Sequence, residues 1–232
     1  MLTARQVSDL CDQGWTQVAI AAPLSEMVER SLAAWRAFFA TGQKLVMGGD
    51  RRVPCGFVPL CHANGCDMKE SFYIQPGYPL PGHLARETTP ITRELGRIAQ
   101  FIGAALDHPA NRAIIETPRH GCLRVMRYPA FEGDPESTLI RQLAEGGALR
   151  APAHQDLSVI TLLPAASEPG LEVELADGGW LRCDEDPRVL TVLVGQYALD
   201  RSACFKRAAT HRVANPETPR RGARMACAYF CG

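Results

Sequence analysis

The sequence carries no net charge: 25 basic and 25 acidic side chains balance over 232 residues. A strongly basic face for nucleic acid or for an anionic membrane is therefore not expected. No apolar run approaches the ~18–20 residues that a membrane span needs. The first ten residues lack a basic segment followed by an apolar one, so no signal peptide is expected. There is no internal repeat and no low-complexity tract. Cysteine is the exception to this plainness, with nine residues, an odd number at irregular spacing and without a CxxC pair. Free thiols in a reducing, cytoplasmic setting are the expectation. Cys61, His62 and Cys66 form a small cluster of zinc-ligand types, but no second ligand pair stands at zinc-finger spacing.

What is present divides into two halves. Thr3 can cap a short helix running to about Gln13, and Gly14 can stop it before an extended stretch, residues 15–20. Leu24, Met27, Val28, Leu32, Trp35, Phe38 and Phe39 then recur at three- and four-residue steps, one apolar face of a helix bounded by Pro23 and Gly42. Residues 48–90 are rich in Gly and Pro and read as a long loop with short extended pieces. A second amphipathic helix is expected over residues 92–107, with Ile91, Leu95, Ile98, Ile102 and Leu106 on one side. From Leu123 onward the pattern changes to short apolar or alternating runs at 123–128, 159–163, 171–175, 180–183, 189–194, 211–213 and 225–230, with one further helix at 137–147. Short strands separated by turn residues suggest a sandwich or barrel.

One triplet carries chemistry. His154-Gln155-Asp156 places an imidazole and a carboxylate two residues apart, and on a strand or its edge both point to one side. His211, at another expected strand 55 residues beyond Asp156, can supply a third ligand. Two histidines and a carboxylate on one face leave open positions on an octahedral ion, the arrangement iron(II) oxygenases use. An isolated HxD pair arises easily by chance, so the text around it decides.

That text resembles the isopenicillin N synthase-like family of iron(II) and 2-oxoglutarate-dependent dioxygenases. The similarity runs through residues 123–129 (LRVMRYP), 154–163 (HQDLSVITLL), Gly170-Leu171-Glu172-Val173, Trp180, residues 211–216 (HRVANP), and Arg224 leading into Ala228-Tyr229-Phe230. Residues 14–18 (GWTQV) and 69–74 (KESFYI) are similar to its landmarks more loosely. The resemblance implies a mainly β fold with flanking helices, a double-stranded β-helix (jelly-roll) core from about Leu123 to Phe230 with the two long helices outside. It implies a single oxygenase domain over 1–232, with 1–122 a helical and loop support region and 123–232 the β core. His154, Asp156 and His211 would hold Fe(2+), Arg224 would bind the distal carboxylate of 2-oxoglutarate, and Tyr128 would project into the pocket. A guanidinium suits that task because its fork meets a carboxylate in two parallel bonds. The implied partners are a small-molecule substrate and dioxygen, without nucleic acid or membrane; nothing in the text speaks to oligomeric state.

The sequence also departs from the family. The usual arginine-x-serine clamp reads Arg224-Met225-Ala226, Met126 stands where many relatives have asparagine, and Leu193 and Gln196 replace an asparagine and an aspartate. The chain stops soon after the last expected strand, without the family's C-terminal covering helix or much of its leader, which implies an open site or one closed by a partner subunit. The leading expectation is a 2-oxoglutarate-dependent oxygenase that hydroxylates, desaturates or cyclises a small molecule. The alternatives are an isopenicillin N synthase-like iron oxidase that does not use 2-oxoglutarate, and a degenerate member without catalysis. For the cysteines the expected outcome is simple. Titration of denatured, unreduced protein kept from air should find nearly all nine thiols free, and recovery of five or fewer would contradict it.

Overall fold

The computed structural model describes residues 2–48, 55–60, 67–106, 121–183, 186–218 and 221–232. Eleven strands form two antiparallel sheets. The larger has the order β1 (Trp15–Ala19), β9 (Val189–Val194), β6 (Ile160–Pro164), β11 (Arg224–Cys231), β4 (Gly121–Tyr128), β3 (Glu70–Ile74), β2 (Gly56–Val58). The smaller has the order β5 (Ala151–His154), β10 (His211–Val213), β7 (Leu171–Glu174), β8 (Trp180–Arg182). Helices α1 (Ala4–Gln13), α2 (Ala22–Phe39), α3 (Gly82–Ala105), α4 (Ser137–Glu145) and α5 (Gln196–Arg201) complete the described secondary structure, with a 3-10 turn at Gly42–Met47. This is the expected jelly-roll with flanking helices. No described helix is long and apolar enough to cross a membrane.

The larger sheet is buried on both faces, and the two-residue period of its strands sorts their side chains. On β11, Met225, Cys227 and Tyr229 join α2 and α3 in the main apolar core, while Ala226 and Ala228 face the smaller sheet. On β4, Leu123 and Val125 face the helices, and Met126 and Tyr128 face inward. Double burial explains why residues 189–194 read as a near-continuous apolar run, broken only by the buried Thr191. Helix α2 delivers Leu24, Val28, Leu32, Trp35 and Phe39 to the core, and Trp35 Nε1 donates to Thr88 Oγ1 of α3 at 2.9 Å.

Three expectations need correction. The second long helix begins at Gly82, ten residues before Thr92, so Pro90 lies inside it. Pro90 removes one backbone donor and costs about 3 kcal/mol in a helix interior. The stripe Leu84, Thr88, Ile91, Leu95, Ile102 runs buried through it and offsets that penalty. The first 122 residues are not only helix and loop, because β1, β2 and β3 extend the larger sheet on both sides. The short strand β5 and the short helix α5 are additions to the expected elements. Pro152 hides β5 in the sequence, and a strand tolerates proline at a sheet edge, where β5 lies. The cluster Cys61, His62 and Cys66 lies outside the described residues. Among the described residues, Cys11, Cys55, Cys122, Cys204, Cys227 and Cys231 are free thiols.

One close approach fixes the turn that carries Asp156. Gly195 precedes α5, its N–H donates to Val159 O at 3.0 Å, and Gln196 N–H donates to Asp156 O at 2.8 Å. A Cβ at position 195 would lie 2.2 Å from Ser158 O and 2.5 Å from Ser158 Oγ. Backbone cannot yield cheaply there, so Gly195→Ala is expected to destabilise the fold by about 1–3 kcal/mol. A lowered urea midpoint at unchanged slope would show it, and an unshifted midpoint would contradict the crowding.

Candidate metal centre

The smaller sheet builds the centre. The pairing of β10 with β5 sets His211 opposite His154, and their rings lie 4.3 Å apart between centroids. Asp156 sits just past the end of β5, in the turn that Gly195 and Gln196 hold, rather than on the strand itself. His154 Nε2 is 3.8 Å from Asp156 Oδ1, and His211 Nε2 is 3.8 Å from Asp156 Oδ2. One ligand atom from each of the three residues lies within 4.8 Å of the others.

Backbone carbonyls orient both rings. His154 Nδ1–H donates to Pro152 O at 2.8 Å, and His211 Nδ1–H donates to Ala209 O at 3.3 Å. A carbonyl can only accept, so each Nδ1 bears the proton and each Nε2 keeps its lone pair for the space beside Asp156. Burial, more than the neighbouring His154, holds His211 below the ordinary imidazole pKa even though Asp156 acts the other way. Asp156 Oδ2 is buried with no hydrogen-bond partner. A buried carboxylate oxygen without a donor is costly. Two neutral imidazole nitrogens and such an oxygen are a donor set that a divalent cation satisfies.

A pocket between the two sheets, with about 530 Å³ of empty space including its mouth, is lined by this triad and by Arg224, Tyr128 and Ala226. Arg224 and Tyr128 are paired in register across β11 and β4, and the guanidinium lies 5.0 Å over the phenol ring. Arg224 Nε donates to Glu168 O at 2.9 Å. Burial pushes the Tyr128 hydroxyl up in pKa, and that hydroxyl makes a weak contact to Met126 Sδ at 3.7 Å. Ala226 faces Met126 across the strand pair, so the two departures from the family stand together and present no donor. Leu193 packs with Trp15 and Val173 between the sheets, and Gln196 Nε2 donates to Gln155 Oε1 at 3.3 Å.

Three further cations belong to this region, and the sequence reading does not single them out. Lys69 and Arg124 also line the pocket, and Arg150 is buried behind it with 1% exposure. The available signal is the alternation Lys69-x-Ser71-x-Tyr73 beside Arg124-x-Met126-x-Tyr128. Only the pairing of β3 with β4 shows that both sets face inward. Burial and the nearby Arg224 push Arg150 down to about 10, and Glu168 stands 3.6 Å from Arg150 Nη1.

Facing antiparallel sheets with two imidazoles and a carboxylate converging between them define a jelly-roll of the metal-centred kind. Residues 120–232 match the family model of the 2OG-Fe(II) oxygenase superfamily. Among known proteins, a 2-oxoglutarate-dependent dioxygenase, frbJ, of Dothideomycetidae sp. (strain 11243) is 32% identical over 139 residues, covering 58% of this chain and 34% of that protein. The chain thus spans about a third of the length of this curated relative. A Shewanella oneidensis crystal structure described as an oxygenase superposes with a TM-score of 0.80 at 27% identity, over 97% of this chain and 84% of that one. A full-length Neurospora crassa protein crystallised with alpha-KG and 5-formyluracil gives 0.78 at 20% identity, over 98% and 77%. At that identity it speaks for the fold alone.

The buried charges behind the pocket make a stability prediction. Glu168 is the carboxylate that faces Arg150, and breaking a buried pair by removing one partner costs about 3–5 kcal/mol. Glu168→Gln should therefore lower the unfolding free energy by about 3 kcal/mol. A urea-melt shift below about 0.5 kcal/mol, the range of ordinary surface changes, would show that the pair contributes nothing.

Proposed function

We propose that this chain is a single-domain non-haem iron(II), 2-oxoglutarate-dependent oxygenase that oxidises a small molecule with dioxygen. His154, Asp156 and His211 hold the iron, and Arg224 receives the distal carboxylate of 2-oxoglutarate. The observation that carries this reading is the fit of the donor set: two Nε2 atoms left free by carbonyl-anchored Nδ1–H groups, and a buried Asp156 oxygen that lacks a donor. Iron(II) in such a site supplies dioxygen activation, coupled to conversion of 2-oxoglutarate to succinate and carbon dioxide. The chain's own residues do the rest. The β5–β10 pairing orients the ligands, Tyr128 and Glu168 O fix the Arg224 guanidinium, and the apolar walls Leu171, Val213 and Phe230 limit water in the pocket. The family match and the 32% identical dioxygenase support this reading.

Ala226 favours one other reading. Without a hydroxyl two residues beyond Arg224, the co-substrate clamp loses a charge-assisted hydrogen bond, roughly 1.5–3 kcal/mol or about ten- to a hundred-fold in affinity. The alternative is an isopenicillin N synthase-like iron oxidase in which Arg224 holds a substrate carboxylate and 2-oxoglutarate has no part. A non-catalytic member would have no use for three convergent ligands.

Anaerobic titration separates these readings. Iron(II)-loaded protein should bind one iron per chain, and added 2-oxoglutarate should produce the visible charge-transfer band of a chelated keto acid. His154→Ala should lose iron, measured by metal analysis after desalting; full metal content would remove the assignment. Ala226→Ser should tighten 2-oxoglutarate binding by about ten- to a hundred-fold, and Arg224→Ala should weaken it further. If neither variant changes 2-oxoglutarate affinity while Arg224→Ala abolishes activity, Arg224 serves the substrate and the oxidase reading holds.

A further inference from the structure

We propose that the substrate carries a carboxylate on an apolar body, and that Arg124 is the residue that receives it. The proposal rests on the iron and 2-oxoglutarate reading and adds the substrate class to it.

The argument is one of charge. The pocket is lined by three cations, Lys69, Arg124 and Arg224, but by one carboxylate, Asp156. Lys69 is matched by Asp67, with which it is in contact. Behind the pocket, Arg150 is matched by Glu168. In the loaded site, iron(II) together with Arg224 is matched by Asp156 together with the doubly charged 2-oxoglutarate. Arg124 is what remains, since among the described residues no carboxylate forms an ion pair with it. A cation facing a pocket walled by protein is poorly solvated, and an anion arriving there gains more than it would at an open surface.

The geometry of Arg124 is that of a receptor. Its Nε donates to Ser71 Oγ at 3.1 Å, and its guanidinium stacks 4.8 Å over the Tyr73 ring. These two contacts fix the plane of the group and leave the terminal nitrogens as a fork. Such a fork matches one planar carboxylate in two parallel bonds. Across from Arg124 the β11 side of the wall is apolar. Ala228 stands directly across from Arg124 in the β4–β11 register, and Phe230 lines the pocket two residues on. The ligand that satisfies both features is a monocarboxylate with a hydrocarbon or aromatic body, its acid at Arg124 and its body on Ala228 and Phe230.

The test uses the full chain loaded with zinc(II), a redox-inert stand-in for iron(II), and saturated with 2-oxoglutarate. Ligand-observed NMR compares matched pairs, phenylacetate against phenylacetamide and hexanoate against hexanamide. At least one acid should bind about tenfold or more tightly than its amide. Arg124→Gln should remove that advantage and leave the affinity for 2-oxoglutarate unchanged. Arg124→Lys should keep part of it, because the charge remains and the fork is lost. If Arg124→Gln does not fold by thermal melt, the acid-to-amide ratio in Arg124→Lys decides, and an undiminished ratio counts against the proposal. Acids that bind no better than amides would overturn it. So would an acid preference that survives in Arg124→Gln, acids that act by displacing 2-oxoglutarate, or a loss of 2-oxoglutarate binding in Arg124→Gln. Failure of the underlying reading shows separately, as absence of the anaerobic charge-transfer band in the iron-loaded wild type. The acid–amide comparison is read without that band.

Discussion

The register between β4 and β11 is the constraint on which both the core and the pocket depend. Arg224 opposes Tyr128, Ala226 opposes Met126, and Ala228 opposes Arg124, all facing the smaller sheet. The alternate positions Met225, Cys227, Tyr229, Leu123 and Val125 face α2 and α3. Because side chains alternate with period two, a slip of one residue on either strand would exchange the two sets. Two guanidiniums would enter the helix-side core, at several kcal/mol each, and a sulfur-rich apolar stripe would face His154, Asp156 and His211. The helix-side core therefore specifies the chemistry of the pocket, although of these five residues only Cys227 borders it. Tyr229 shows how tight that specification is, since a Cβ on Gly121 would lie 2.0 Å from its hydroxyl oxygen.

The same alternation accounts for what could be read in the sequence. Helix α2 was legible because seven apolar residues from Leu24 to Phe39 recur at three- and four-residue steps, and the strands of the second half were legible as short apolar runs. The start of α3 was not, because Pro90 masked a stripe whose continuity lies in Leu84 and Thr88. The joining of β1 to β9, Trp15 opposite Leu193, was not legible either. That pairing is decided by contacts nearly 180 residues apart, and no local pattern encodes it. At the candidate site, the three ligand types could be named from one short motif and the family text around it. Lys69, Arg124 and Arg150 could not, since a charged residue on a strand reads as solvated until the partner sheet is known to cover it. Their burial is a tertiary fact. So is the position of Asp156, which shares a side with His154 through a held turn and not through strand geometry.

Electrostatic balance ties these residues together. Four cationic side chains, Lys69, Arg124, Arg150 and Arg224, are gathered in or behind one pocket in a chain whose total charge is zero. Like charges at such proximity are tolerable only with anions among them, which Asp67, Asp156 and Glu168 supply in part. The effect is visible in Lys69. Burial first, and Arg124 second, push it down to about 8, and Asp67 and Asp156 only partly restore it. A pocket so poised favours anionic ligands before any specific contact forms.

Pro152 illustrates how economy of structure serves the candidate metal centre. It lies on β5, the edge strand of the smaller sheet, where a missing N–H leaves no ladder bond unmade. Without that donor the edge is also a poor template for another strand. Its carbonyl is at the same time the acceptor that fixes the His154 tautomer. His211 obtains the equivalent support from Ala209 O, but from inside the fold, on a strand paired on both sides. The two imidazoles thus receive the same second contact under opposite conditions: 7% of the His211 side chain is exposed, against 38% of that of His154. The more exposed ring, His154, is the one with more freedom to lose on ordering. The shorter of the two hydrogen bonds, 2.8 Å against 3.3 Å, stands where that freedom is greatest.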